Sequence, residues 1–428
     1  MSNMKSKIAV VFYYTRQNRN SYNVLAGALE KDVFNVDIYF IGKDLEESLT
    51  EIILKYEKII VAISFCTPQI YQIANLLENL KKQFKDKIFL VAGGPHPTGD
   101  PKNTLNLGFD VIVMSEGEET FSELIIKLKN NEDYQGVKGI SYFSNGNYIF
   151  TGFRKPINLD EYPAFAIKHK KFNPIEITRG CTFGCKFCQA TFLYHAPIRH
   201  RSIKSICEHV KIMIKEGLRD IRFITPNSFC YGSRNGKELN LEAVEDLLKS
   251  VRDIIKNKGR IFFGTFPSEV RPEHVNSETI ELVKRYANND NLIIGAQSGS
   301  PGILKECNRG HTVDDIYNAV ESTIGAGLKA NVDFIFGLPH ETEEDVNMSL
   351  KVIGDLIKMG ARIHGHTFMP LAGTPYATEL PGKLNKDTFL KLDKLAFKGK
   401  LYGDWKKQEK IAKDIYRFIK ERADPDWA

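Results

Sequence analysis

The chain has 428 residues, of which 42% are hydrophobic and 26% are charged. At roughly 150 residues per domain, this length predicts two or three domains of an ordinary globular protein. The longest apolar run, Ile59–Phe65, is too short for the roughly 20 residues that a membrane helix needs. No small-residue cleavage site follows the apolar N-terminal run, so we expect no secretory signal, no membrane partner and a cytoplasmic location.

The excess positive charge is concentrated near the C-terminus. The net charge is +6, and residues 383–428 hold 13 Lys and Arg against 8 Asp and Glu. Such a basic segment either contacts RNA or an acidic protein, or forms the solvated face of a helix. The second interpretation is simpler, and we do not expect a nucleic-acid partner.

The first 130 residues alternate apolar strands with amphipathic helices. The predicted strands are 7–13, 34–41, 58–65, 87–92 and 110–114, and the predicted helices are 22–30, 44–56, 70–84 and 120–129. This alternation predicts an α/β domain with a doubly wound parallel sheet of the flavodoxin or Rossmann type. Ligands of such sheets bind at the carboxyl ends of the strands, here the loops 14–20, 66–69, 93–99 and 115–119.

A second alternating series follows a polar connector, in which residues 142–154 are typical of a hairpin around Asn145 and Gly146. Its six predicted strands are 176–178, 220–225, 260–265, 291–297, 331–337 and 362–369. They predict a partial (β/α)6 barrel with its active site at the carboxyl ends of the strands. The predicted division is 1–140 for the N-terminal domain, 141–170 for a linker, 171–376 for the barrel and 377–428 for a basic helical C-terminal extension.

Three of the seven cysteines lie within eight residues, on the loop after the first barrel strand. Cys181, Cys185 and Cys188 have the spacing Cys-x3-Cys-x2-Cys in the segment RGCTFGCKFCQ. Thiolates are soft ligands for iron–sulfur clusters or zinc, but structural zinc sites need four ligands. A cluster held by three cysteines leaves one iron open. Three other cysteines are widely spaced, so we assign them structural roles and expect no second cluster: Cys207, Cys230 and Cys307.

The cysteine motif resembles that of the radical S-adenosylmethionine (SAM) superfamily, in which an aromatic residue precedes the third cysteine. The resemblance implies that the three cysteines hold a 4Fe–4S cluster, whose open iron binds SAM and whose reduction cleaves SAM to a 5′-deoxyadenosyl radical. Further segments match in order: GAQSGS at 295–300, GLPHET at 337–342 and PLAGTP at 370–375. The implied SAM-binding residues are Phe187, Gln189, Gln297, Ser298, Arg309, Gly337 and Leu338.

Three residues depart from the usual superfamily pattern. Gln297 replaces a common Glu, His340 a common Gly and Asn227 a common Asp. None of them is a cluster ligand. The departures therefore indicate a subfamily with its own substrate pocket.

The N-terminal region resembles the cobalamin-binding domain that is fused to many radical SAM enzymes. The resemblance rests on GGPHPTG at 93–99 and SEGEET at 115–120. The loop 13–22 has no histidine, which is compatible with cobalamin held without a histidine ligand. The implied cobalamin-binding residues are Tyr14, Ser64, Phe65, Thr67, Gly93, Gly94, His96, Ser115, Glu116 and Gly117.

Two histidines alternate along the predicted sixth barrel strand. His364 and His366 lie two residues apart, so they share one face of the strand. Either this face points into the barrel and the rings meet substrate or SAM, or the rings form a polar layer with satisfied hydrogen bonds. The sequence leaves both interpretations open.

The resemblance implies a cobalamin-dependent radical SAM methyltransferase that methylates an unactivated carbon and uses two SAM molecules per turnover. The candidate substrates are a peptide or protein side chain or a small molecule, and an electron donor of the flavodoxin or ferredoxin type is implied. The alternatives are a non-methylating rearrangement or cyclisation on the same fold, a tRNA methylthiotransferase, and a non-catalytic sensor. A methylthiotransferase needs three N-terminal cysteines for a second cluster, whereas only Cys66 precedes Cys181.

Overall fold

The computed structural model describes residues 8–33, 35–194 and 197–422. Its N-terminal part is a seven-stranded sheet in the order β2-β1-β3-β4-β5-β6-β7, with helices on both faces. The strands are β1 (Ile8–Tyr13), β2 (Asp37–Ile41), β3 (Lys58–Ser64), β4 (Ile88–Gly93), β5 (Val111–Val113), β6 (Ile140–Ser144) and β7 (Asn147–Phe150). The helices are α1 (Arg19–Asp32), α2 (Leu45–Ile52), α3 (Ile70–Phe84), α4 (Pro95–Gly99), α5 (Pro101–Asn106) and α6 (Gly117–Lys129).

The order of the parallel strands determines where a ligand can bind. Strand β1 pairs in parallel with β2 on one side and β3 on the other, and β3 continues through β4 to β5. The direction of the strand order therefore reverses beside β1, and the loops after β1 and β3 diverge there. The doubly wound parallel sheet predicted from the sequence is confirmed, although β2 begins at Asp37, and Lys7 and Phe34 lie outside the described residues.

The hairpin around Asn145 and Gly146 belongs to this sheet. Strand β6 pairs antiparallel with β5, with Ile112 opposite Ser141, and β7 pairs antiparallel with β6. The prediction that residues 141–150 are part of a linker is therefore wrong. The edge of β5 would otherwise expose unpaired backbone groups, and the hairpin covers it.

The second part of the chain is a partial barrel of parallel strands surrounded by helices. The strands are β8 (Ile175–Glu176), β9 (Thr178–Arg179), β10 (Arg199–His200), β11 (Asp220–Ile224), β12 (Arg260–Phe262), β13 (Asn291–Gln297), β14 (Lys329–Phe336), β15 (Arg362–Thr367) and β16 (Leu401–Tyr402). The helices are α7 (Gln189–Phe192), α8 (Ile203–Lys215), α9 (Leu241–Ile255), α10 (Ser277–Tyr286), α11 (Pro301–Glu306), α12 (Val313–Gly325), α13 (Glu343–Met359), α14 (Lys386–Phe397) and α15 (Trp405–Arg422).

The parallel strands of the barrel form two sheets, β8-β11-β12 and β13-β14-β15-β16, whereas β9 and β10 form a separate antiparallel pair. A bridge between Val270 and Ile294 joins the two sheets, and the amide of Ile293 donates to the carbonyl of Gly264 over 3.0 Å. Strand β16 pairs in parallel with β15, so the region predicted as a purely helical extension adds a seventh strand. Among the described residues, no helix is both long enough and apolar enough to cross a membrane.

Local sequence signals explain where the long barrel helices begin and end. The hydroxyl of Thr312 accepts from the amide of Asp315, and Asp315 accepts from the amide of Thr312, which forms a capping box for α12. Thr342 and Asp345 form the same box at the start of α13. Helix α13 ends at Gly360, whose φ of 110° is a left-handed conformation that glycine adopts without strain.

The N-terminal domain and the barrel are in direct contact beside the strand ends. The backbone at Gly99, the last residue of α4, lies so close to Ala372 that a Cβ atom there would overlap the Ala372 carbonyl group. The amide of Ala372 donates to Thr67 Oγ1 over 3.2 Å. The carboxyl ends of the N-terminal strands therefore face the barrel.

Candidate functional site

The three-cysteine segment is a folded loop at the mouth of the barrel. Gly180 and Gly184 have φ values of 88° and 67°, which allow the loop to turn on each side of Cys181. The amide of Lys186 donates to the carbonyl of Cys307 over 3.0 Å, and the Lys186 carbonyl accepts from the amide of Tyr376 over 3.3 Å. The loop is thus attached to the segments that follow α11 and β15.

The electrostatics of the loop suit a bound cation. The pKa of Cys188 is raised to about 12, mainly by burial and in part by the nearby charges of Cys185 and Cys181. Arg309 Nη1 lies 3.6 Å and Arg271 Nη1 lies 3.9 Å from Cys185 Sγ. Three thiolates repel one another and therefore need positive charge nearby. The two guanidinium groups supply part of this charge, and bound iron would supply more. The donor set therefore fits a 4Fe–4S cluster with one open iron.

The residues predicted to bind SAM surround this loop. Arg309 is buried, and its Nη2 donates to the carbonyl of Gly295 over 2.5 Å. Gln297 ends β13 with a φ of 74°, and Ser298 Oγ lies 3.3 Å from Ser349 Oγ. Gln189 Nε2 donates to the carbonyl of Ala372 over 2.8 Å.

An apolar cluster lies on the other side of the loop. Phe187 packs with Leu338, Phe368 and Tyr376, so two predicted SAM-binding residues are brought together. Gly337 has a φ of 72°, and its amide donates to Glu341 Oε2 over 2.8 Å. These contacts place an apolar wall beside a polar turn, which suits a nucleoside that has both kinds of surface.

Two buried polar atoms near the loop have no hydrogen-bond partner among the described residues. They are Arg309 Nε and Glu341 Oε1. Burial raises the pKa of Glu341 to about 7. Because an unsatisfied buried polar atom costs free energy, these atoms are suited to receive a polar ligand such as SAM.

Four polar residues of the barrel interior were not identified in the sequence. Burial raises the pKa of Glu269 to about 7, with Asp333 adding to the rise and Arg309 opposing it. Arg271 Nε pairs with Glu273 over 2.5 Å, and its Nη2 donates to the carbonyl of Arg309. The sequence did contain an indication that Asp333 lies in the barrel interior, because a single Asp in the otherwise apolar strand VDFIF indicates a polar face. Glu269 and Arg271 lie on a loop and had no comparable signal.

A cavity of about 350 Å³ lies between the two domains. Six of the predicted cobalamin-binding residues line it, namely Ser64, Gly93, Gly94, Ser115, Glu116 and Gly117. Its opposite wall contains Arg179, Leu193 and Tyr194, which lie before and after the cysteine loop. The cavity is therefore at the carboxyl ends of the N-terminal strands and next to the barrel mouth.

The other four predicted cobalamin-binding residues do not line this cavity. Phe65 and His96 are buried and stack on each other with ring centroids 5.2 Å apart. Thr67 Oγ1 lies 3.1 Å from His96 Nδ1 and also accepts from Ala372. The hydroxyl of Tyr14 donates to Asn23 Oδ1 over 3.0 Å. Phe65, Thr67 and His96 therefore lie behind the loops rather than in the cavity wall.

The chemistry of the cavity wall fits part of a cobalamin molecule. Asn20 Oδ1, Ser64 Oγ and Asn173 Oδ1 line the cavity, are buried, and have no hydrogen-bond partner among the described residues. All three can accept hydrogen bonds, and the amide side chains of cobalamin carry N–H donors. A volume of this size holds one portion of the cofactor rather than the whole.

Ion pairs join the two domains at the rim of the cavity. Arg179 Nη2 lies 2.6 Å from carboxylate oxygens of both Glu118 and Glu176, and Arg199 pairs with Glu116. Burial acts to raise the pKa of Glu118, but the Arg179 charge outweighs it and holds this pKa below its usual value. Glu116, predicted to bind cobalamin, is thus already paired with a barrel residue.

Comparison with known proteins identifies both halves of the chain. Residues 175–353 match the radical SAM superfamily, and residues 9–125 match the B12 binding domain. An uncharacterized methyltransferase of Pyrococcus horikoshii is 29% identical over 75% of this chain and 69% of its own length. A tRNA-2-methylthio-N(6)-dimethylallyladenosine synthase of Ehrlichia ruminantium is 24% identical over 68% of this chain and 62% of its own length.

Two solved structures share the fold of most of the chain. The radical SAM methyltransferase TsrM from Kitasatospora setae, solved with cobalamin and a [4Fe-4S] cluster, has a TM-score of 0.70 and 15% identity over 88% of this chain and 75% of its own. The cobalamin-dependent SAM radical enzyme OxsB, solved with aqua-cobalamin, has a TM-score of 0.64 and 19% identity over 82% of this chain and 52% of its own.

The order of the domains, the three-cysteine loop and the cavity at the strand ends agree with these matches. The cofactors of this class are a 4Fe–4S cluster, SAM and cobalamin. The chain is therefore a radical SAM enzyme with an N-terminal B12-binding domain.

Proposed function

We propose that this enzyme is a cobalamin-dependent methyltransferase that methylates an unactivated carbon and consumes two SAM molecules per turnover. The observation that carries the proposal is the position of the cavity between the domains. One wall consists of the N-terminal strand ends, and the other contains Arg179, Leu193 and Tyr194 beside the cysteine loop. A group held in this cavity would face the barrel mouth, where Cys181, Cys185 and Cys188 would hold the cluster.

When bound, the cluster and SAM supply an adenosyl radical and cobalamin supplies a transferable methyl group. The chain's own residues provide the surroundings for this chemistry. Arg309 and Arg271 place positive charge beside Cys185, and the apolar cluster around Phe187 and Leu338 would shield one side of the loop from water. Water exclusion protects a radical from side reactions.

The proposed substrate is a peptide or protein side chain or a small molecule that enters the barrel. The Pyrococcus horikoshii relative is named a methyltransferase, and TsrM has been solved with tryptophan substrate and a SAM analogue bound. These names support an amino acid side chain, free or within a peptide, as the first class to test. An electron donor of the flavodoxin or ferredoxin type is part of the proposal.

The test measures both products of SAM in one reaction. The anaerobically reconstituted full chain is incubated with cobalamin, SAM and dithionite, and S-adenosylhomocysteine and 5′-deoxyadenosine are quantified by mass spectrometry. We expect both products, and equal amounts of them when a methyl acceptor is present. With methyl-deuterated SAM and fractionated peptides or metabolites, the product should gain three deuterons.

Cysteine variants give the matched control for this test. Cys188→Ala should abolish 5′-deoxyadenosine formation, whereas Cys207→Ala, a half-buried cysteine on α8, should not. Formation of 5′-deoxyadenosine with substrate consumption but without S-adenosylhomocysteine would overturn the proposal. It would favour the rearrangement or cyclisation that the sequence left open.

The methylthiotransferase alternative also has named relatives, including the Ehrlichia ruminantium enzyme. We do not favour it, because a second cluster needs further cysteines and only Cys66 precedes Cys181. A count of about four irons per chain, rather than eight, would agree with this choice.

A further inference from the structure

Three metal-binding side chains other than the cluster cysteines meet inside the barrel. In the register of β14 and β15, Asp333 lies directly opposite His364. His366 is two residues further along β15 and points to the same side as His364. The ligand atoms of these residues, which we call the lumen triad, all lie within 4.8 Å of one another.

We propose that the lumen triad binds a divalent transition-metal ion of the zinc type, separate from the iron–sulfur cluster. His364 Nδ1 lies 3.1 Å from Asp333 Oδ1 and 3.1 Å from His366 Nε2. Zinc ligands lie about 2.0–2.2 Å from the ion, which places the donor atoms of a tetrahedral site roughly 3.3–3.5 Å apart. These two distances need to lengthen by only a few tenths of an ångström, and the remaining pair of donor atoms, on Asp333 and His366, lies within 4.8 Å.

Hydrogen bonds alone do not satisfy the triad. The Nδ1 atom of a neutral imidazole offers either one proton or one lone pair. If His364 Nδ1 accepts from His366, it faces Asp333 Oδ1 with two lone pairs opposed. If it donates to Asp333, His366 Nε2 is left without a partner there in either tautomer. A cation at the centre satisfies all three atoms at once.

The surroundings hold the two rings in place. Tyr402 stacks on His364 with ring centroids 4.5 Å apart and an angle of 7° between the planes. The carboxamide nitrogen of Gln408, on α15, lies 3.5 Å from His366 Nδ1, and its oxygen accepts from the amide of Thr367 over 2.9 Å. Metal binding through Nε2 places the His366 proton on Nδ1. The Gln408 carboxamide must then turn its oxygen toward the ring, as outer partners of metal-bound histidines do.

The proposed site is accessible from the barrel interior. The side chains of His364 and Asp333 are 29% and 12% exposed. Three protein ligands leave one position of a tetrahedral ion open, as in zinc sites that bind a further ligand. That open position would accept an oxygen or nitrogen donor from a molecule in the barrel, such as a carboxylate or an amine.

The test uses the full chain with its iron–sulfur cluster reconstituted. After removal of loosely bound metal, Zn²⁺ is titrated against a chromophoric chelator while the iron content is monitored. We expect one Zn²⁺ per chain with no loss of iron. The zinc X-ray absorption spectrum should show only nitrogen and oxygen neighbours at about 2.0–2.2 Å, whereas binding to the cluster cysteines would show sulfur at about 2.3 Å.

Variants assign the zinc to the lumen triad. Loss of a residue that only hydrogen-bonds to a metal ligand weakens metal binding by roughly 10- to 100-fold, so we expect a loss of Zn²⁺ affinity in this range for Gln408→Ala. His366→Gln and His364→Ala remove ligands, so each should weaken Zn²⁺ binding by more than this. His169→Gln, which removes a histidine paired with Glu30 outside the barrel, is the matched control. Sulfur neighbours in the spectrum, or equal affinity in His366→Gln and His169→Gln, would overturn the proposal. Because the readout is zinc alone, this result is independent of methyl transfer.

Discussion

The imidazole of His96 is kept neutral by burial beneath the cavity. Its ring contacts Phe65 and Thr67, neither of which carries a charge, and burial lowers its pKa from the usual 6.5 to about 3. Below pH 6.5 the unfolded chain binds a proton at this position and the folded chain does not. The stability contributed by the neutral ring is therefore complete above about pH 6.5 and decreases as the pH falls toward about 3.

This difference predicts a measurable effect of pH on unfolding. At about 1.4 kcal/mol per pH unit, His96 should reduce the free energy of unfolding by about 2 kcal/mol between about pH 7.5 and pH 5. His96→Gln should lose less stability over the same pH interval than the unaltered chain. Urea unfolding followed by circular dichroism at the two pH values measures the change. An equal loss of stability in both proteins would contradict the prediction.

Two adjacent glycines at the end of β4 have different roles. Gly94 has a φ of 91°, and a Cβ there would lie 2.6 Å from Ser64 Oγ, so it is needed for the turn. A Cβ at Gly93 would stay 3.7 Å from the Val113 carbonyl oxygen, and Gly93 lines the cavity. A larger side chain at Gly93 would therefore fill the cavity without disturbing the backbone.

Gly93→Leu should consequently weaken cobalamin binding while the protein remains folded. Overpacking costs about 1–3 kcal/mol, which corresponds to a loss of affinity of roughly 5- to 150-fold. Ultrafiltration with hydroxocobalamin, followed by absorbance, measures the affinity. Gly354→Leu is the control, because a Cβ at this position on α13 meets no atom within 4 Å. Unchanged affinity in Gly93→Leu would place the cofactor elsewhere.

At the level of elements, α15 joins the barrel to the N-terminal domain. Thr367 Oγ1, on β15, donates to the carbonyl of Trp405 over 2.8 Å. At the other end of the helix, Phe418 packs into the core beneath the N-terminal sheet, with its ring 5.0 Å from that of Tyr71. The C-terminal region therefore contributes a strand to the barrel and an apolar anchor to the other domain.

Phe418→Ala should destabilise the contact between the domains. Replacing a buried phenylalanine with alanine costs about 3–5 kcal/mol. Phe397 is 95% exposed on α14, so Phe397→Ala should change the free energy of unfolding by less than about 0.5 kcal/mol. Urea unfolding of the two variants provides the comparison. Similar stability of both variants would show that α15 is not anchored through Phe418.

Some elements could be predicted from the sequence and others could not. The bounds of α3 and β13 agree with the predicted segments 70–84 and 291–297, because both have a clear apolar period. Strand β16 has only two residues and lies in a lysine-rich region, so it has no apolar period of its own. These residues are extended because they pair with β15. Such pairing depends on residues distant in sequence, and so does the addition of β6 and β7 to the N-terminal sheet.

At the level of the whole molecule, the candidate site is assembled from both domains. The spacing of Cys181, Cys185 and Cys188 was enough to predict the cluster loop, because the ligands are close in sequence. The pairing of Glu118 with Arg179 and the approach of Glu269 to Asp333 join segments about 60 residues apart. No local pattern in the sequence indicates such contacts, which explains why Glu269 could not be identified from the sequence.

The contact between Gly99 and Gly373 has a consequence for exchanging domains between related enzymes. A Cβ at Gly373 would lie 2.7 Å from Gly99 Cα, and a Cβ at Gly99 would overlap Ala372. The backbones of the two domains are therefore in direct contact at these positions. A chimera that combines this B12-binding domain with a foreign barrel will assemble only if the foreign segment also lacks a side chain at the position of Gly373. The compatibility of the two modules therefore depends on a pair of positions that lie 274 residues apart in the chain.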